Sequence, residues 1–214
     1  MEMTHRDEPA RDCALCPRLT TFRNANIDHE PGWHNAPVAS FGPQNARLLI
    51  VGLAPGLRGA NRTGRPFTGD YAGDLLYATL AKFGFSSGHF RADPQDGLAL
   101  VDARITNAVR CVPPANKPLP VEIATCRSFL SATLAAMPQL TSLLALGRIA
   151  HESVLKAVGT PARLHPFAHN ARHRLGSFTL YDSYHCSRYN TNTGRLTAPM
   201  FEAVFTAIRR DLAA

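Results

Sequence analysis

The sequence of 214 residues lacks any apolar run of the roughly 18 residues that a membrane-spanning helix needs. Charged residues are also scarce, at 18% of the chain, which excludes a highly charged disordered protein. Residues 1–9 are polar and lack the apolar core of a secretion signal. We therefore expect a cytoplasmic, monomeric globular protein without a membrane partner. Its length predicts one domain over residues 1–214.

Acidic residues are too few to balance the basic ones, with 16 Asp and Glu against 23 Lys and Arg. The formal net charge is therefore +7. Such an excess predicts a polyanionic partner such as nucleic acid, or an anionic surface. Composition alone leaves both partners open.

Short apolar runs bounded by turn residues predict buried strands that alternate with helices. The predicted strands cover residues 47–52, 103–110, 142–146 and 178–182, and the predicted helices follow Asp70, Val121, Gly147 and Ala198. This alternation predicts an α/β fold whose parallel sheet is covered on both faces, with ligands at the carboxyl ends of the strands. The first 45 residues or so predict an irregular arm that needs an attachment to the body.

The five cysteines follow no secretion signal, so a disulfide framework is not expected. Cys13 and Cys16 form a C-x2-C pair in the arm, and Cys111 and Cys126 form a second pair in the body. Four thiolates are typical of a structural zinc site or an iron–sulfur cluster, and spacing does not separate the two. Buried thiols without a shared role are the alternative. A metal centre would attach the arm to the body.

A glycine-rich loop follows the first predicted strand, from Gly52 to Asp70. Its glycines allow a ligand to come close to the backbone. The loop contains neither the G-K-[ST] of a phosphate-binding P-loop nor the glycine spacing of a dinucleotide-binding motif. Its charges suit contacts to phosphates through Arg58, Arg62 and Arg65. A solvated crossover loop is the alternative.

Two further segments place polar side chains near the ends of predicted strands. Asn107 lies near the end of the second strand, where Asn is unusual, and its amide can both donate to and accept from a base edge. His185 follows the last strand and can stabilise a developing anion, although a structural histidine is the more common case. Ser187, Arg188 and Asn190 come next and suit phosphate contacts.

Three histidines recur every four residues, at His165, His169 and His173. On a helix they would share one face and could bind a metal ion. Pro166 and Gly176 favour a loop instead. We interpret this segment as a basic, solvated loop.

Together, residues 52–70, 105–114 and 185–197 resemble motifs of the uracil-DNA glycosylase superfamily. With the cysteine spacing, the pattern is most similar to family 5, the type B iron–sulfur uracil-DNA glycosylases, over residues 12–212. The resemblance implies a three-layer α/β/α sandwich around a four-stranded parallel sheet.

The resemblance implies an enzyme that flips uracil, or another deaminated base, out of DNA and hydrolyses its N-glycosidic bond. Phe67 would stack on the uracil ring, Asn107 would hydrogen-bond its Watson–Crick edge, and His185 would stabilise the negative charge at O2. Asp70 would position water or stabilise the sugar cation, or would simply cap a helix. Further substrate contacts are implied for Gly52, Leu53, Ala54, Pro55 and Gly56.

The same resemblance implies a structural [4Fe–4S] cluster held by Cys13, Cys16, Cys111 and Cys126. Contacts to DNA are implied for the loops around the pocket, at Arg58, Arg62, Arg65, Ser187, Arg188, Tyr189 and Asn190. With Arg110 and Arg195, these arginines would place the positive charge of the chain around the pocket.

Two positions depart from the pattern of related sequences. Leu53 stands where family 4 has an acidic residue, which favours family 5. Cys186 stands where Pro is usual, which frees a backbone N–H and places a thiol in the predicted DNA-facing loop. Two alternatives to the enzyme stay open: a uracil-DNA-binding or damage-sensing protein without turnover, and a zinc-stabilised DNA-binding regulator.

Overall fold

The computed structural model describes residues 7–213, so the first six residues of the predicted arm lie outside the described part. The strands are β1 (Leu48–Gly52), β2 (Ser86–Ser87), β3 (Ala99–Leu100), β4 (Ala103–Asn107), β5 (Ser142–Leu146), β6 (Arg172–Leu175) and β7 (Phe178–Ser183). The helices are α1 (Pro17–His29), α2 (Ala60–Thr63), α3 (Tyr71–Lys82), α4 (Pro120–Ala135), α5 (Arg148–Ala157), α6 (Arg188–Asn192) and α7 (Ala198–Ala213).

A five-stranded sheet in the order β4-β1-β5-β7-β6 forms the centre of the molecule. Its first four strands are parallel, as predicted, and β6 adds an antiparallel edge strand beside β7. Strands β2 and β3 pair separately as a short antiparallel ribbon. The three-layer α/β/α prediction is confirmed.

Helices cover both faces of the sheet because the central strands are apolar on both sides. On one face, Ile50 and Leu144 pack with Leu76 of α3 and Phe205 of α7. On the other face, a second group of buried residues joins the sheet to α4 and α5, and it includes Leu49, Val51, Leu143, Leu130, Leu134, Val154 and Leu155.

The N-terminal arm is not irregular, because residues 17–29 form helix α1. Pro17 suits the first helical position, where its missing N–H costs no hydrogen bond. The helix buries Leu19, Arg23 and Asn26, so its inner face is mostly polar. An apolar helical stripe, the usual signal of a helix, is therefore absent from this segment.

The interpretation of residues 165–173 as a solvated loop is wrong for His173. This residue lies in β6 and hydrogen-bonds the buried carboxylate of Asp182. That end of the segment is therefore itself the edge strand of the sheet, paired with β7, and not a loop in solvent.

The parallel strands bring the three predicted motifs to one edge of the sheet. Gly52 at the end of β1 lies in register with Asn107 at the end of β4. His185 lies two residues beyond the end of β7. None of the described helices is long and apolar enough to cross a membrane.

Candidate active site

A cavity of about 640 Å³ opens at the carboxyl ends of the parallel strands. It collects side chains from all three predicted motifs, since Phe67, Asn107 and His185 all line it. The surface of the cavity is mainly apolar, with a few polar groups, which is typical of a site for a small organic ligand. Other predicted residues that line it are Leu53, Ala54, Pro55, Gly56, Arg58, Asp70, Ser187 and Arg188.

Gly52 supports the floor of the cavity from behind. A Cβ atom at this position would lie 2.4 Å from Asn107 Oδ1 and 2.7 Å from Phe67 Cζ. Only glycine therefore leaves room for both side chains. Phe67 has a φ of 53°, a left-handed conformation that costs free energy in a bulky residue and is often found at functional sites.

His185 lies beside Phe67, with ring centroids 5.9 Å apart and planes 28° from parallel. The backbone carbonyl of His185 accepts a hydrogen bond of 2.8 Å from Asn190 Nδ2. This bond holds the backbone at His185 in position. Burial lowers the pKa of His185 to about 4, so the ring is neutral at neutral pH. A neutral imidazole can donate one hydrogen bond to a developing anion.

Asp70 occupies the N-cap position of α3, yet its side chain makes no capping hydrogen bond. Its Oδ1 atom is buried without a hydrogen-bond partner among the described residues. Gly56 and Gly59 make room for the other oxygen, since a Cβ atom on Gly59 would lie 2.4 Å from Asp70 Oδ2. Burial raises the pKa of this carboxyl group. The carboxyl group also faces the backbone N–H groups of Ala72 and Gly73, so lining the cavity and capping α3 are compatible roles for Asp70.

Four of the five cysteines line one small cavity between the arm and the body. Cys13 and Cys16 come from the arm, while Cys111 follows β4 and Cys126 lies in α4. A tetrahedral zinc ion would hold its sulfur atoms about 3.8 Å apart. Within residues 7–213, however, these cysteines do not form a group whose ligand atoms all lie within 4.8 Å. Four thiols in one enclosure are the donor set of a zinc ion or of an iron–sulfur cluster.

Hydrogen-bond donors face two of these sulfur atoms. Arg23 Nη1 lies 3.7 Å from Cys111 Sγ, and the backbone N–H of Arg110 donates to Cys126 Sγ at 3.3 Å. Burial raises the pKa of Cys111 to about 12 and that of Cys126 to about 11. These four thiols in one cavity, with donors to two of the sulfur atoms, fit a positively charged metal centre. Such a centre would hold the cysteines as thiolates.

The model of the uracil DNA glycosylase superfamily matches residues 39–212, which include all three cavity motifs. The chain belongs to this superfamily. It is 45% identical over 205 residues to the type-5 uracil-DNA glycosylase of Thermus thermophilus, covering 92% of this chain and 93% of that protein. The type-5 enzyme of Pyrobaculum aerophilum is 37% identical, with 94% and 88% covered. The predicted resemblance to family 5 is confirmed.

Type-4 relatives are more distant from this glycosylase sequence. The type-4 uracil-DNA glycosylase of Archaeoglobus fulgidus is 34% identical over 149 residues, which cover 69% of this chain and 62% of that protein. This ranking agrees with the interpretation of Leu53.

Arg65 does not belong to the DNA-facing surface of this glycosylase. Its guanidinium makes two hydrogen bonds of 2.8 Å to Asp96 and is buried against the ring of Phe41. Arg110 is buried as well and pairs with Glu8 at 2.8 Å. Both arginines stabilise the fold, so assigning their charge to DNA was wrong.

The other four arginines predicted around the pocket are exposed, namely Arg58, Arg62, Arg188 and Arg195. Tyr189 of α6 is strongly exposed, at 71%. Ser187 caps helix α6 by accepting a hydrogen bond from the backbone N–H of Asn190. Ser187 and Asn190 therefore shape the loop that presents Arg188 and Tyr189.

Cys186 is fully buried rather than DNA-facing. Burial raises the pKa of its thiol to about 12, so the group is protonated and unreactive. Side chains alternate along an extended segment, so Cys186 points into the core while His185 lines the cavity.

Six lining residues were not predicted as site residues, and they are Leu57, Gly59, Ala60, Tyr71, Ala72 and Asn116. Asn116 follows Ala115, and both have left-handed backbone conformations with φ near 55° and 53°. The preceding Pro113-Pro114 pair marked an irregular turn, but nothing in the sequence indicated that the turn reaches the cavity.

Proposed function

We propose that this chain removes uracil from DNA by hydrolysing the bond between the base and deoxyribose, leaving an abasic site for base excision repair. The meeting of Phe67, Asn107, Asp70 and His185 in one cavity carries this proposal. Phe67 and Asn107 are buried, so a base that stays stacked in a duplex could not contact them, and the substrate is a flipped-out nucleotide. The names of the type-5 relatives support the same activity.

The base is held by stacking and by one amide. Phe67 presents its ring to the cavity, where a planar base can stack on it. Asn107, only 3% exposed, can pair one donor and one acceptor with the Watson–Crick edge. Gly52 keeps these two side chains in place, as its missing Cβ leaves the space they occupy.

His185 stabilises the charge that develops on the departing base. Cleavage leaves the bonding electron pair on uracil, which becomes an anion with charge at O2. The neutral imidazole donates a hydrogen bond to that oxygen inside a largely apolar cavity, where such a bond is stronger than in water.

Asp70 acts on the sugar side of the bond. Cleavage leaves positive charge on the deoxyribose ring, and a nearby carboxylate stabilises that charge or positions the attacking water. The oxygen of Asp70 without a protein partner, Oδ1, is suited to either role. The water supplies the hydroxyl group of the abasic sugar and the proton that ends on uracil.

The DNA partner is held by the exposed residues around the cavity. Arg58, Arg62 and Arg188 supply positive charge for phosphates, and Tyr189 projects from the same surface to contact the duplex. Other deaminated bases fall within this proposal, since few polar side chains restrict the cavity.

We further propose that Cys13, Cys16, Cys111 and Cys126 hold a [4Fe–4S] cluster that joins the arm to the body in one domain. When bound, the cluster supplies structural cross-linking, because hydrolysis of a glycosidic bond needs no electron transfer. Absorbance near ~400 nm, with iron and sulfide analysis, tests the assignment. A colourless protein whose bound zinc has sulfur ligands at about 2.3 Å would replace it.

An oligonucleotide with one uracil tests the enzymatic proposal. Stoichiometric protein should convert the strand to an alkali-labile product, and Asn107→Ala should abolish most of this conversion while His89→Ala, at an exposed position, should not. Uracil-specific binding without product over hours would favour the damage-sensing alternative, and binding independent of uracil would favour the DNA-binding regulator.

A further inference from the structure

Three potential metal ligands meet outside the glycosylase cavity, each from a different element. His151 of α5 places Nδ1 2.8 Å from Asp182 Oδ1, and His173 of β6 places Nε2 3.1 Å from Asp182 Oδ2. The three ligand atoms all lie within 4.8 Å of one another. His151 and Asp182 are almost completely buried, and His173 is mostly so.

Both ring nitrogens of His151 face hydrogen-bond acceptors. Nε2 lies 2.8 Å from the backbone carbonyl oxygen of His165, and Nδ1 lies 2.8 Å from the Asp182 carboxylate. A carbonyl oxygen only accepts, so Nε2 carries a hydrogen atom. In the neutral ring the lone pair of Nδ1 then points at a carboxylate oxygen. This contact is favourable only with a positive charge between the two atoms, either a second proton or a metal ion.

We propose that His151 Nδ1, His173 Nε2 and the Asp182 carboxylate bind a divalent transition metal ion, with Zn²⁺ as the best match. Two imidazoles and a carboxylate are a common donor set for zinc. A ligating histidine also usually donates its other N–H to a carbonyl or a carboxylate, as His151 does.

The observed spacing needs little change to accept the ion. Zinc bonds of about 2.0–2.1 Å place neighbouring ligand atoms about 3.3 Å apart in a tetrahedron. The contacts of 2.8 and 3.1 Å would open by a few tenths of an ångström. A water molecule would complete the coordination.

The site would connect α5, β6 and the end of β7. None of its three ligands lines the glycosylase cavity, so the ion takes no part in the proposed hydrolysis. Asp182 lies three residues before His185, and the ion would therefore stabilise the strand end from which that residue extends. Its presence does not depend on the proposed activity.

Zinc binding to the purified, EDTA-treated protein with its cysteine site intact tests this proposal. Zn²⁺ at about 100 times its Kd should raise Tm by roughly 5–10 °C. The zinc X-ray absorption edge should show only nitrogen and oxygen ligands at about 2.0–2.1 Å. Two results with the wild-type protein alone would overturn the proposal. One is the absence of zinc binding, and the other is a zinc ion with sulfur ligands at about 2.3 Å.

Matched variants identify the ligands. His173→Ala should bind one zinc ion fewer per chain than wild type and should lose the Tm increase, whereas His89→Ala should keep both. Iron content should be the same in all three proteins, because the cysteine site is separate. Equal zinc content in wild type and His173→Ala would mean that a proton, rather than a metal, joins His151 to Asp182.

Discussion

His185 is expected to act as a neutral hydrogen-bond donor, so its removal should slow bond cleavage more than it weakens DNA binding. Loss of one donor to a developing oxyanion costs about 3–4 kcal/mol in other enzymes, or roughly 10²–10³-fold in rate. His185→Ala should lower the single-turnover excision rate by that factor. The Kd for uracil-containing DNA should change little, because Phe67 and Asn107 still hold the base.

The desolvation of His185 in the cavity also predicts how the rate depends on pH. The difference between an ordinary histidine pKa of 6.5 and a value of about 4 corresponds to about 3 kcal/mol against protonating the ring in place. The folded protein therefore keeps a neutral His185 down to a pH of about 5. Between pH of about 5.5 and 8.5, the rate profiles of wild type and His185→Ala should run parallel.

The assay uses excess enzyme on a duplex with one uracil, with alkaline cleavage and gel separation of the product. His89→Ala controls for the loss of an exposed imidazole. Excision by His185→Ala at the wild-type rate would refute the donor role. An inflection near a pH of 6.5 in wild type that the variant lacks would refute the neutral state, since the ring would then titrate at its ordinary pKa.

Four further substitutions test separate parts of the structure. Gly52→Ala should reduce excision at least tenfold and destabilise the fold by about 1–3 kcal/mol, measured by denaturation, because its Cβ would collide with Asn107 and Phe67. Arg65→Ala should lower the free energy of unfolding by about 3–5 kcal/mol, since it leaves Asp96 charged and without its ion-pair partner. Arg58→Ala should instead weaken DNA binding and leave the free energy of unfolding unchanged. In thiol titration, Cys186 should react only after denaturation, and Cys186→Val should keep wild-type excision.

The strands were predictable because parallel strands buried on both faces are continuous apolar segments. Residues 48–52 and 142–146 are such segments, and every residue in them is buried. The position of the site followed from the same prediction, since the ends of parallel strands share one edge of the sheet. Asn107 and His185 could therefore be placed together without knowledge of their contacts.

Features that depend on distant pairs were not predictable. Arg65 and Asp96 are 31 residues apart, as are His151 and Asp182, and neither pair follows a local pattern. Helix α1 buries Arg23 and was missed for a related reason. Its inner face contacts polar groups of the body, so no apolar periodicity marked it.

The arginines explain why the net charge indicated DNA as the partner but did not indicate which arginines would contact it. A buried guanidinium is stable only when a carboxylate compensates its desolvation, and Asp96 and Glu8 do so for Arg65 and Arg110. Each such pair adds nothing to the field outside the protein. The excess of +7 therefore belongs to basic residues without such partners, and Arg58 and Arg188 of that group line the cavity. The positions of the basic residues that remain after the buried pairs are set aside are thus a better guide to a DNA-binding surface than the net charge.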